Sequence, residues 1–329
     1  MSTSVSVLIV NYNAGPHLAE TLTALSAQTM ADFEAIVLDN GSADDSFDRA
    51  KRAVADDPRF RFHAADANLG FAAGNNRIAA AAKAPWLALL NPDAFPAADW
   101  LEQLLAAAER HRGTAMFGSL QMDAGDSSRL DGAGDRYFCA GVPWRGGYGW
   151  PATTTLAETE VFAPCAAAAL YRADAFRAVG GFDERFFCYV EDVDLAFRLR
   201  LAGQRCVQVP TAVVRHVGGA SSGGGTSDFA RYHGMRNMVW CFVKNMPMPL
   251  LFMLAPIHGM VLLLLLVKSA FRGQGAVVAR ALSAAYGGLP LVWADRQRVQ
   301  RARVASCRTI AQAFSWSPKA YACRAPKLP

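Results

Sequence analysis

Short apolar runs alternate with helical patterns through the first hundred residues, and this rhythm limits the possible folds more than any other feature. Runs rich in apolar and β-branched residues lie at 5–10, 33–38, 60–63 and 86–90. The longer stretches between them have apolar residues at helical spacing. Strands joined in this way by helices lie parallel in one sheet. We therefore predict an α/β fold with a mostly parallel central sheet.

The pattern changes in the middle of the chain. Residues 123–155 are rich in Gly, Asp, Trp and Tyr, and this composition predicts a long irregular loop. After it we predict a helix at 191–202, strands at 205–209 and 212–215 and a flexible Gly-rich linker at 219–225.

Polar residues stand directly after three of the predicted strands. They are Asn11 and Asn13 after the first strand, Asp39 after the second, and Asn91 and Asp93 after the fourth. In open α/β sheets the ligand crevice lies outside the carboxyl ends of the strands. We expect a ligand site at that edge of the sheet.

The turn after the first strand tests one competing class, the dinucleotide-dependent oxidoreductases. Those enzymes share the α/β pattern, and they have Gly-x-Gly-x-x-Gly at this turn. Residues 11–15 of this chain are Asn-Tyr-Asn-Ala-Gly instead. The sequence therefore disfavours a dinucleotide-dependent oxidoreductase.

Two strand-end carboxylates allow both a functional and a structural interpretation. Asp39 could accept the imide N–H of a pyrimidine, although Asp is also an ordinary helix-capping residue. Asp93, in the segment Asn91-Pro-Asp93, could hold Mg²⁺ or Mn²⁺ between two phosphates. The same segment is also typical of a Pro-initiated turn. Neither motif decides the question alone.

Two later segments offer a base and a further metal ligand. Glu191, Asp192 and Asp194 open a predicted helix, where negative charge is favoured by the helix dipole. One of these carboxylates could instead remove the proton of an acceptor hydroxyl. His216 could complete the coordination of a divalent ion, or it could be a hydrogen-bonded core histidine.

The C-terminal part of the chain is apolar and then basic. Residues 250–267 have no formal charge, but Pro256, His258 and Gly259 interrupt the run. Its 18 residues are near the lower limit for crossing a bilayer, so a span, an interfacial or re-entrant helix pair and a buried helix all remain open. After Val267 the chain has 11 basic residues and one acidic residue. This charge favours an anionic membrane face over nucleic acid.

Cysteine usage and the N-terminus indicate the compartment. The seven cysteines include no Cys-x-x-Cys pair, so neither a zinc knuckle nor a disulfide framework is predicted, and a reducing compartment is expected. The N-terminus lacks the pattern of a secretory signal. We expect the part ahead of the apolar run to stay in the cytoplasm.

Considered together, the motifs point to one family. The matching segments are Val10-Asn-Tyr-Asn13, Asp39-Asn-Gly-Ser-Ala-Asp44, Asn68-Leu-Gly-Phe-Ala-Ala-Gly-Asn75, Asn91-Pro-Asp93, Gly181-Phe-Asp-Glu184, Glu191-Asp-Val-Asp194 and His216-Val-Gly-Gly219. In this order and spacing they resemble the family 2 glycosyltransferases, and most closely the rhamnosyltransferase-like branch that builds bacterial surface polysaccharides. The resemblance covers residues 5–245 and continues more weakly through the tail.

The resemblance implies a fold and a set of roles. Residues 1–245 would form a Rossmann-like, nucleotide-sugar-binding domain of the glycosyltransferase-A type, and residues 246–329 a helical, membrane-associated tail. Asp192 would be the catalytic base, supported by Glu191, and Asp93 and His216 would hold the metal. The family's common metal motif is Asp-X-Asp, and here an amide, Asn91, replaces its first carboxylate. The donor-binding residues would be Asn11, Asn13, Asp39, Asn68, Asn75, Asn91 and Asp93.

The resemblance also implies a reaction. A sugar, with rhamnose favoured by the branch, would pass with inversion from dTDP-rhamnose or a UDP-sugar to a glycan or lipid-linked acceptor, assisted by Mg²⁺ or Mn²⁺. The enzyme would work at the cytoplasmic face of the inner (plasma) membrane, held peripherally or by a single span, and would not bind nucleic acid. A non-catalytic, membrane-bound sugar-binding or scaffold protein with the same fold remains the alternative.

Overall fold

A computed structural model describes residues 3–219 and 227–327. The strands are β1 (Val5–Asn11), β2 (Phe33–Asp39), β3 (Phe60–Ala64), β4 (Trp86–Leu90), β5 (Ala94–Pro96), β6 (Met116–Asp123), β7 (Leu130–Gly132), β8 (Asp135–Phe138), β9 (Val142–Arg145), β10 (Thr159–Glu160), β11 (Ala168–Arg172) and β12 (Cys206–His216). The helices are α1 (His17–Ser26), α2 (Ser46–Ala53), α3 (Gly70–Ala81), α4 (Trp100–Arg110), α5 (Ala173–Ala178), α6 (Glu191–Leu201), α7 (Asp228–Asn245), α8 (Met248–Ala270), α9 (Gly275–Gly287), α10 (Leu289–Arg301), α11 (Cys307–Ala313) and α12 (Pro318–Ala322).

One large sheet organises the molecule, and it confirms the predicted α/β fold. Its strand order is β10-β12-β6-β11-β4-β1-β2-β3, with β5 paired to β12 and β7 to β6. Strands β1 to β4 are parallel to their neighbours in the order β4-β1-β2-β3, and β12 is parallel to β6. Strand β11 runs antiparallel to both β4 and β6. The ends of β4 and β12 and the beginning of β11 therefore meet at one edge of the sheet.

The first strand shows why the sheet is buried on both faces. Every residue of β1 is buried, and successive side chains of a strand point to opposite faces. Leu8 belongs to one hydrophobic cluster, whereas Val7 and Ile9 belong to another together with Leu18 and Leu22 of α1. Helices thus cover both faces, as the near-continuous apolar strands predict.

The structure corrects two predictions about the middle of the chain. The predicted irregular loop at 123–155 contains strands β7, β8 and β9. These strands have only three or four residues each, and Gly134 and Gly141 between them adopt positive φ, so no apolar alternation marks them. The strands predicted at 205–209 and 212–215 are one strand, β12, with a bulge between Val209 and Val213 that accommodates Pro210.

Helices α8 to α12 complete the described chain. The interrupted run of residues 250–267 lies within a single 23-residue helix, α8, which contains Pro256. By length and composition α8 could cross a membrane, and a second candidate arises if the bent pair α9 and α10 is counted as one span. Leu250, Leu254 and Phe314 pack into the same cluster as the sheet residues, so the tail shares a core with the rest. The Gly-rich linker predicted at 219–225 lies, from residue 220 onward, outside the described residues.

Candidate active site

The first part of the site lies where β1 and β2 end side by side. The buried amide Nδ2 of Asn11 has three acceptors within hydrogen-bond distance, namely Asp39 Oδ1 at 2.9 Å, Ser42 Oγ at 3.1 Å and Ser46 Oγ at 2.9 Å. The backbone N–H of Ser42 also approaches Asp39, at 3.3 Å from Oδ2. Asn11 is fully buried, so its role in this arrangement is to hold Asp39, whose side chain remains partly exposed.

Two loops border this strand end. Asn13 adopts a left-handed backbone, and its Oδ1 accepts from the N–H of Ala43 at 2.8 Å. Asn40 bridges to the next loop, since its Nδ2 donates to Asn68 Oδ1 at 3.0 Å and its Oδ1 accepts from the N–H of Leu69. Asn68 is exposed and contacts Asn40, the residue after Asp39. Asn75 is buried in α3, and its Nδ2 donates to the Phe71 carbonyl at 2.9 Å. The donor-binding roles of these residues stay predictions.

Asp93 and His216 meet at the second part of the site. Strands β5 and β12 pair antiparallel, with His216 opposite Ala94. This register brings His216 Nε2 within 3.3 Å of Asp93 Oδ1 and within 3.4 Å of Asn91 Nδ2. Both Asp93 and His216 are buried. Two residues that are 123 positions apart in sequence are thus adjacent because two strands pair.

Asp131 fixes the orientation of this histidine. His216 Nδ1 donates to Asp131 Oδ2 at 2.7 Å, which leaves Nε2 facing Asp93. Burial favours the neutral imidazole, but the hydrogen bonds to Asp131 and Asp93 outweigh it and raise the pKa of His216. A carboxylate behind a histidine is a common arrangement at metal sites, where it sets the tautomer of the ligand.

These residues fit a divalent cation. Oxygen atoms of carboxylates and amides suit Mg²⁺ and Mn²⁺, and an imidazole nitrogen can join them. Oδ1 of Asn91 is buried and has no hydrogen-bond partner among the described residues. It is therefore an available acceptor on the same amide whose Nδ2 lies 3.4 Å from His216 Nε2.

Asp192 forms the third part of the site, at the start of α6. Its Oδ2 accepts from the N–H of Ala166 at 3.1 Å, and the neighbouring Ala167 carbonyl accepts from the N–H of Asn91 at 2.8 Å. The segment that leads into β11 thus joins the proposed base to the Asn91-Pro-Asp93 turn. Burial raises the pKa of Asp192, although the N–H groups of Ala166 and Val193 oppose the shift. A carboxylate with a raised pKa is a better general base.

Further charged groups surround Asp192. One ligand-type atom from each of Asp135, Cys165 and Asp192 lies within 4.8 Å of the others. Burial, with a smaller contribution from the Asp192 charge, raises the pKa of Asp135 well above its usual range. Arg145 is opposite Asp135 in the β8–β9 pair and interacts with all three groups, while its Nη1 donates to Asp131 at 2.5 Å. Arg145 therefore supplies positive charge both to Asp192 and to Asp131, the partner of His216.

Glu191 differs from its neighbour. It is buried, and its Oε2 has no hydrogen-bond partner in the described part of the chain. Burial and the adjacent Asp192 charge raise the pKa of Glu191 well above its usual range. The supporting role predicted for Glu191 stays a prediction.

The backbone before α6 is strained. Phe187, Tyr189 and Val190 all have φ between 64° and 69°, a region that residues with a side chain rarely adopt. Asn237 of α7 is fully buried, and its Nδ2 lies 2.9, 3.0 and 2.7 Å from the carbonyl oxygens of residues 186, 188 and 189. Arg236 donates to the carbonyls of residues 185 and 186. Helix α7 thus holds the strained loop that leads to Asp192.

The sequence alone did not reveal four of these residues. Asp131, Asp135 and Arg145 lie in the segment that was predicted to be an irregular loop, and Asn237 lies inside an ordinary helical pattern. The only available signal was the density of charged residues among the glycines of that segment. Such composition is equally typical of a solvated loop, so it could not identify a site.

Comparison with known proteins decides the family. The family model for glycosyl transferase family 2 matches residues 6–180, more than half of the chain. The chain belongs to glycosyltransferase family 2. This glycosyltransferase is 34% identical over 246 residues to the N-acetylglucosaminyl-diphospho-decaprenol L-rhamnosyltransferase of Mycobacterium tuberculosis strain H37Rv, with 68% of the chain and 79% of the relative covered. The enzyme is therefore rhamnosyltransferase-like, as the motifs predicted.

Other relatives agree with the family and the fold. The glycosyltransferase is 31% identical over 220 residues to the O-antigen biosynthesis protein RfbC of Myxococcus xanthus, covering 64% of the chain and 17% of RfbC. It superimposes on GalNAc-T7 with UDP, GalNAc and Mn²⁺ at a TM-score of 0.60 and 17% identity, covering 73% of the chain and about half (48%) of GalNAc-T7. It also superimposes on a Pyrobaculum calidifontis mannosyltransferase in complex with GDP-Man and Mn²⁺. The TM-score is 0.56 at 16% identity, and the match covers 94% of the chain and 86% of the mannosyltransferase. The predicted glycosyltransferase-A type of fold is confirmed.

Proposed function

We propose that this glycosyltransferase moves rhamnose, with inversion, from a nucleotide-diphosphate donor to a lipid-linked acceptor, with Asp192 as the base. One observation supports this most: Asp93, His216 and Asp192 belong to one hydrogen-bonded edge of the sheet. Asp93 and His216 are in direct contact, and Asp192 joins them through Ala166, Ala167 and Asn91. A cation site and a base in one crevice are what a single displacement at the anomeric carbon needs.

The donor's nucleotide would bind at the ends of β1 and β2. Asp39 presents a carboxylate that is held in place by Asn11, and it can accept the imide N–H of thymine or uracil. The side chains of Asn13 and Asn68 border the same strand end on two loops. This geometry supports dTDP-rhamnose or a UDP-sugar as donor.

Mg²⁺ or Mn²⁺ would be held by Asp93 and His216, with Asn91 Oδ1 as a further candidate ligand. When bound, the cation would stabilise the negative charge that grows on the departing diphosphate. Asp131 keeps His216 in the tautomer whose Nε2 faces Asp93. Arg145, beside Asp131 and Asp135, adds fixed positive charge between the two ends of the site.

Asp192 would take the proton of the acceptor hydroxyl as that oxygen attacks the anomeric carbon. Removal of the proton by a positioned carboxylate makes the hydroxyl nucleophilic in the transition state. The attack and the departure of the diphosphate take place on opposite faces of the sugar, so one displacement inverts the anomeric centre. The N–H groups of Ala166 and Val193 hold the two oxygens of Asp192 in place before the acceptor arrives.

We infer the acceptor from the mycobacterial relative and the location from the tail. That relative's name gives a diphospho-decaprenol acceptor, which is a lipid-linked sugar. A membrane-associated tail at residues 246–329 would keep the catalytic domain, residues 1–245, beside such an acceptor at the cytoplasmic face. The apolar helix α8 and the basic residues after it support this division.

Incubation with a panel of nucleotide sugars would test the proposal. Purified enzyme is mixed with dTDP-rhamnose, UDP-sugars and GDP-sugars, with and without Mn²⁺, in the presence of a polyprenyl-diphosphate sugar. We expect metal-dependent release of dTDP from dTDP-rhamnose and a rhamnosylated lipid product. If no donor yields any nucleotide diphosphate or transferred sugar, the alternative of a non-catalytic sugar-binding protein replaces this proposal.

A further inference from the structure

Helix α8 exposes a wide apolar face. Phe252, Leu263 and Leu264 are 74%, 59% and 60% exposed, and Phe271, directly after the helix, is 88% exposed. Met253, Met260 and Val267 extend the same face along the helix. Exposed apolar area of this extent marks a contact surface for a partner or for lipid.

The opposite side of α8 is packed against protein over most of its length. The buried residues of this side, here called the seam, are Leu250, Leu251, Leu254, His258, Leu262 and Ser269. At the middle of the seam, His258 stacks on Phe242 of α7 with ring centroids 4.1 Å apart, and its Nδ1 donates to the Ala140 carbonyl at 2.7 Å. From its first member to its last, the seam extends over about 28 Å at the helical rise of about 1.5 Å per residue.

The seam restricts how α8 can meet a bilayer. A helix that crosses the hydrocarbon core must enter it with everything packed along its length. Helix α7, which packs on α8 through Phe242, begins at Asp228, whose exposed carboxylate accepts a hydrogen bond from Gln274, just beyond the end of α8. Moving this exposed charge and the loop around Ala140 into hydrocarbon would cost several kcal/mol for each ion that is removed from water. Only the outer face of α8 can be immersed without that cost.

The charges around α8 indicate the kind of surface. Lys268 and Arg272 stand exposed at its C-terminal end, and Arg280 of α9 is exposed nearby in sequence. Between Val267 and the end of the chain there are 11 basic residues and one acidic residue. Lys and Arg beside an immersed apolar face are attracted to anionic headgroups, with roughly 1 kcal/mol for each basic residue near the surface. A second copy of this chain would instead bring like charges together.

We propose that α8 lies flat in the leaflet of an anionic bilayer, with Phe252, Leu263, Leu264 and Phe271 among the acyl chains and the seam on the catalytic domain. This inference deepens the membrane association in the proposed function. It describes a monotopic enzyme with both ends of α8 on one side of the membrane. Its tests do not depend on catalysis, so it can fail while the proposed reaction holds.

Vesicle binding tests the lipid partner. Full-length protein is sedimented with vesicles of phosphatidylcholine alone and of phosphatidylcholine mixed with phosphatidylglycerol. We expect binding to the anionic vesicles that weakens with salt, and a loss on the order of tenfold or more in the Phe252→Glu/Leu263→Glu variant, because two charges would enter the apolar region. Val304→Glu is the matched control, since Val304 is 78% exposed but lies outside α8. Equal binding by wild type and the double variant would overturn the proposal.

Thiol labelling tests the orientation. Cysteine is introduced at the exposed positions Met248, at the start of α8, and Ala276, just beyond its C-terminal end, in a background with Cys307 and Cys323 changed to Ser. In intact cells, neither end should react with an impermeant maleimide, and both should react after permeabilisation. Labelling of one end alone in intact cells would show that α8 crosses the membrane. A lipid-free dimer in sedimentation velocity that the double glutamate variant abolishes would assign the face to a second copy instead. Either result would overturn the proposal.

Discussion

The side-chain amide of Asn237 donates to the backbone carbonyl of Tyr189 at 2.7 Å, two residues before the helix that begins with Glu191 and Asp192. The same nitrogen also contacts the carbonyls of residues 186 and 188. Left-handed backbone at three residues with side chains persists only where surrounding contacts hold it. In the proposed mechanism Asn237 is therefore a positioning residue, because it acts on Asp192 through the loop and not by direct contact.

Replacing Asn237 tests this relationship. We expect Asn237→Ala and Asn237→Asp, which both remove the donor, to lower kcat by about ten- to a hundredfold, because a base displaced by about 1 Å loses catalysis. The KM for the donor should change less than kcat, because Asp39 is held by Asn11 and Ser42 and not by this loop. Asn76→Ala is the control, since its amide donates at 2.9 Å to the carbonyl of Phe182, outside the strained residues. Faster amide hydrogen exchange at residues 187–190 in the Asn237 variants would confirm loop release, and unchanged exchange would contradict it.

Asp192→Asn should lower kcat without weakening donor binding. We expect kcat to fall by about 10²- to 10⁴-fold, the usual contribution of a general base, with little change in thermal stability or donor affinity. Asp194→Asn gives the structural contrast. Asp194 is buried and pairs with Arg198 and Lys244, so its loss should lower the free energy of unfolding by about 3 kcal/mol. Wild-type turnover in Asp192→Asn, measured with a proven acceptor, would show that Asp192 is not the general base.

Asp131→Asn should weaken metal binding without removing a predicted ligand. An amide accepts a weaker hydrogen bond from His216 Nδ1 and no longer fixes the tautomer, and loss of such a partner typically costs about ten- to a hundredfold in metal affinity. Titration with Mn²⁺, followed by electron paramagnetic resonance, measures the affinity directly. Asp126→Asn, on an exposed turn, serves as the control. An unchanged Mn²⁺ affinity in Asp131→Asn would show that Asp131 does not contribute to metal binding.

Asp192 should set the acidic side of the pH profile. Burial raises the pKa of both Asp192 and Asp135, and the Asp192 charge raises the pKa of Asp135 further. A base with a raised pKa is protonated, and hence inactive, at a higher pH than an ordinary Asp at about 3.9. We expect kcat to fall with acidification above that value, and the fall to stay in place in Asp135→Asn, because Asp135 still holds its proton while Asp192 titrates. A fall that moves to lower pH in Asp135→Asn would show that Asp135 carries a negative charge in that range.

The ion pairs of Asp183 should make the free energy of unfolding depend on pH. It pairs with Arg185 and Lys244, and although burial opposes ionisation, these partners lower its pKa below the usual range. A carboxyl whose pKa is lower in the folded state contributes stability above its unfolded pKa of about 3.9 and loses it as the pH falls toward the folded value. Urea unfolding should therefore show a steeper loss of stability below about pH 4 in wild type than in Asp183→Asn. Asp48→Asn, at an exposed site on α2, should behave like wild type.

How much the sequence predicted depends on the length and periodicity of each element. The strand at 86–90 was predicted with the bounds it has, and α6 was predicted to within one residue, because apolar runs and helical spacing are local signals. Strands of three or four residues such as β7 are too short to show an alternation of apolar and polar residues, so their own residues do not indicate them. Asp93 and His216 come together because β5 pairs with β12, which is distant in sequence, so they could be predicted as a pair only from the resemblance. The hydrogen bond between Asp131 and His216 could be recognised only from the fold.

Strand β12, which ends in His216, is twelfth in chain order but lies inside the sheet, between β10 and β6. During synthesis β1 to β4 can pair as soon as they leave the ribosome, since domains fold progressively from the N-terminus. One edge of β6, however, stays unpaired until about ninety further residues have been synthesised, because its partner on that side is β12. An unpaired edge of this kind invites pairing with other chains. The nascent polypeptide is therefore prone to aggregation until β12 has been synthesised, near the end of translation of this domain. The Asp93–His216 pair also forms only at that stage, because His216 is the last residue of β12.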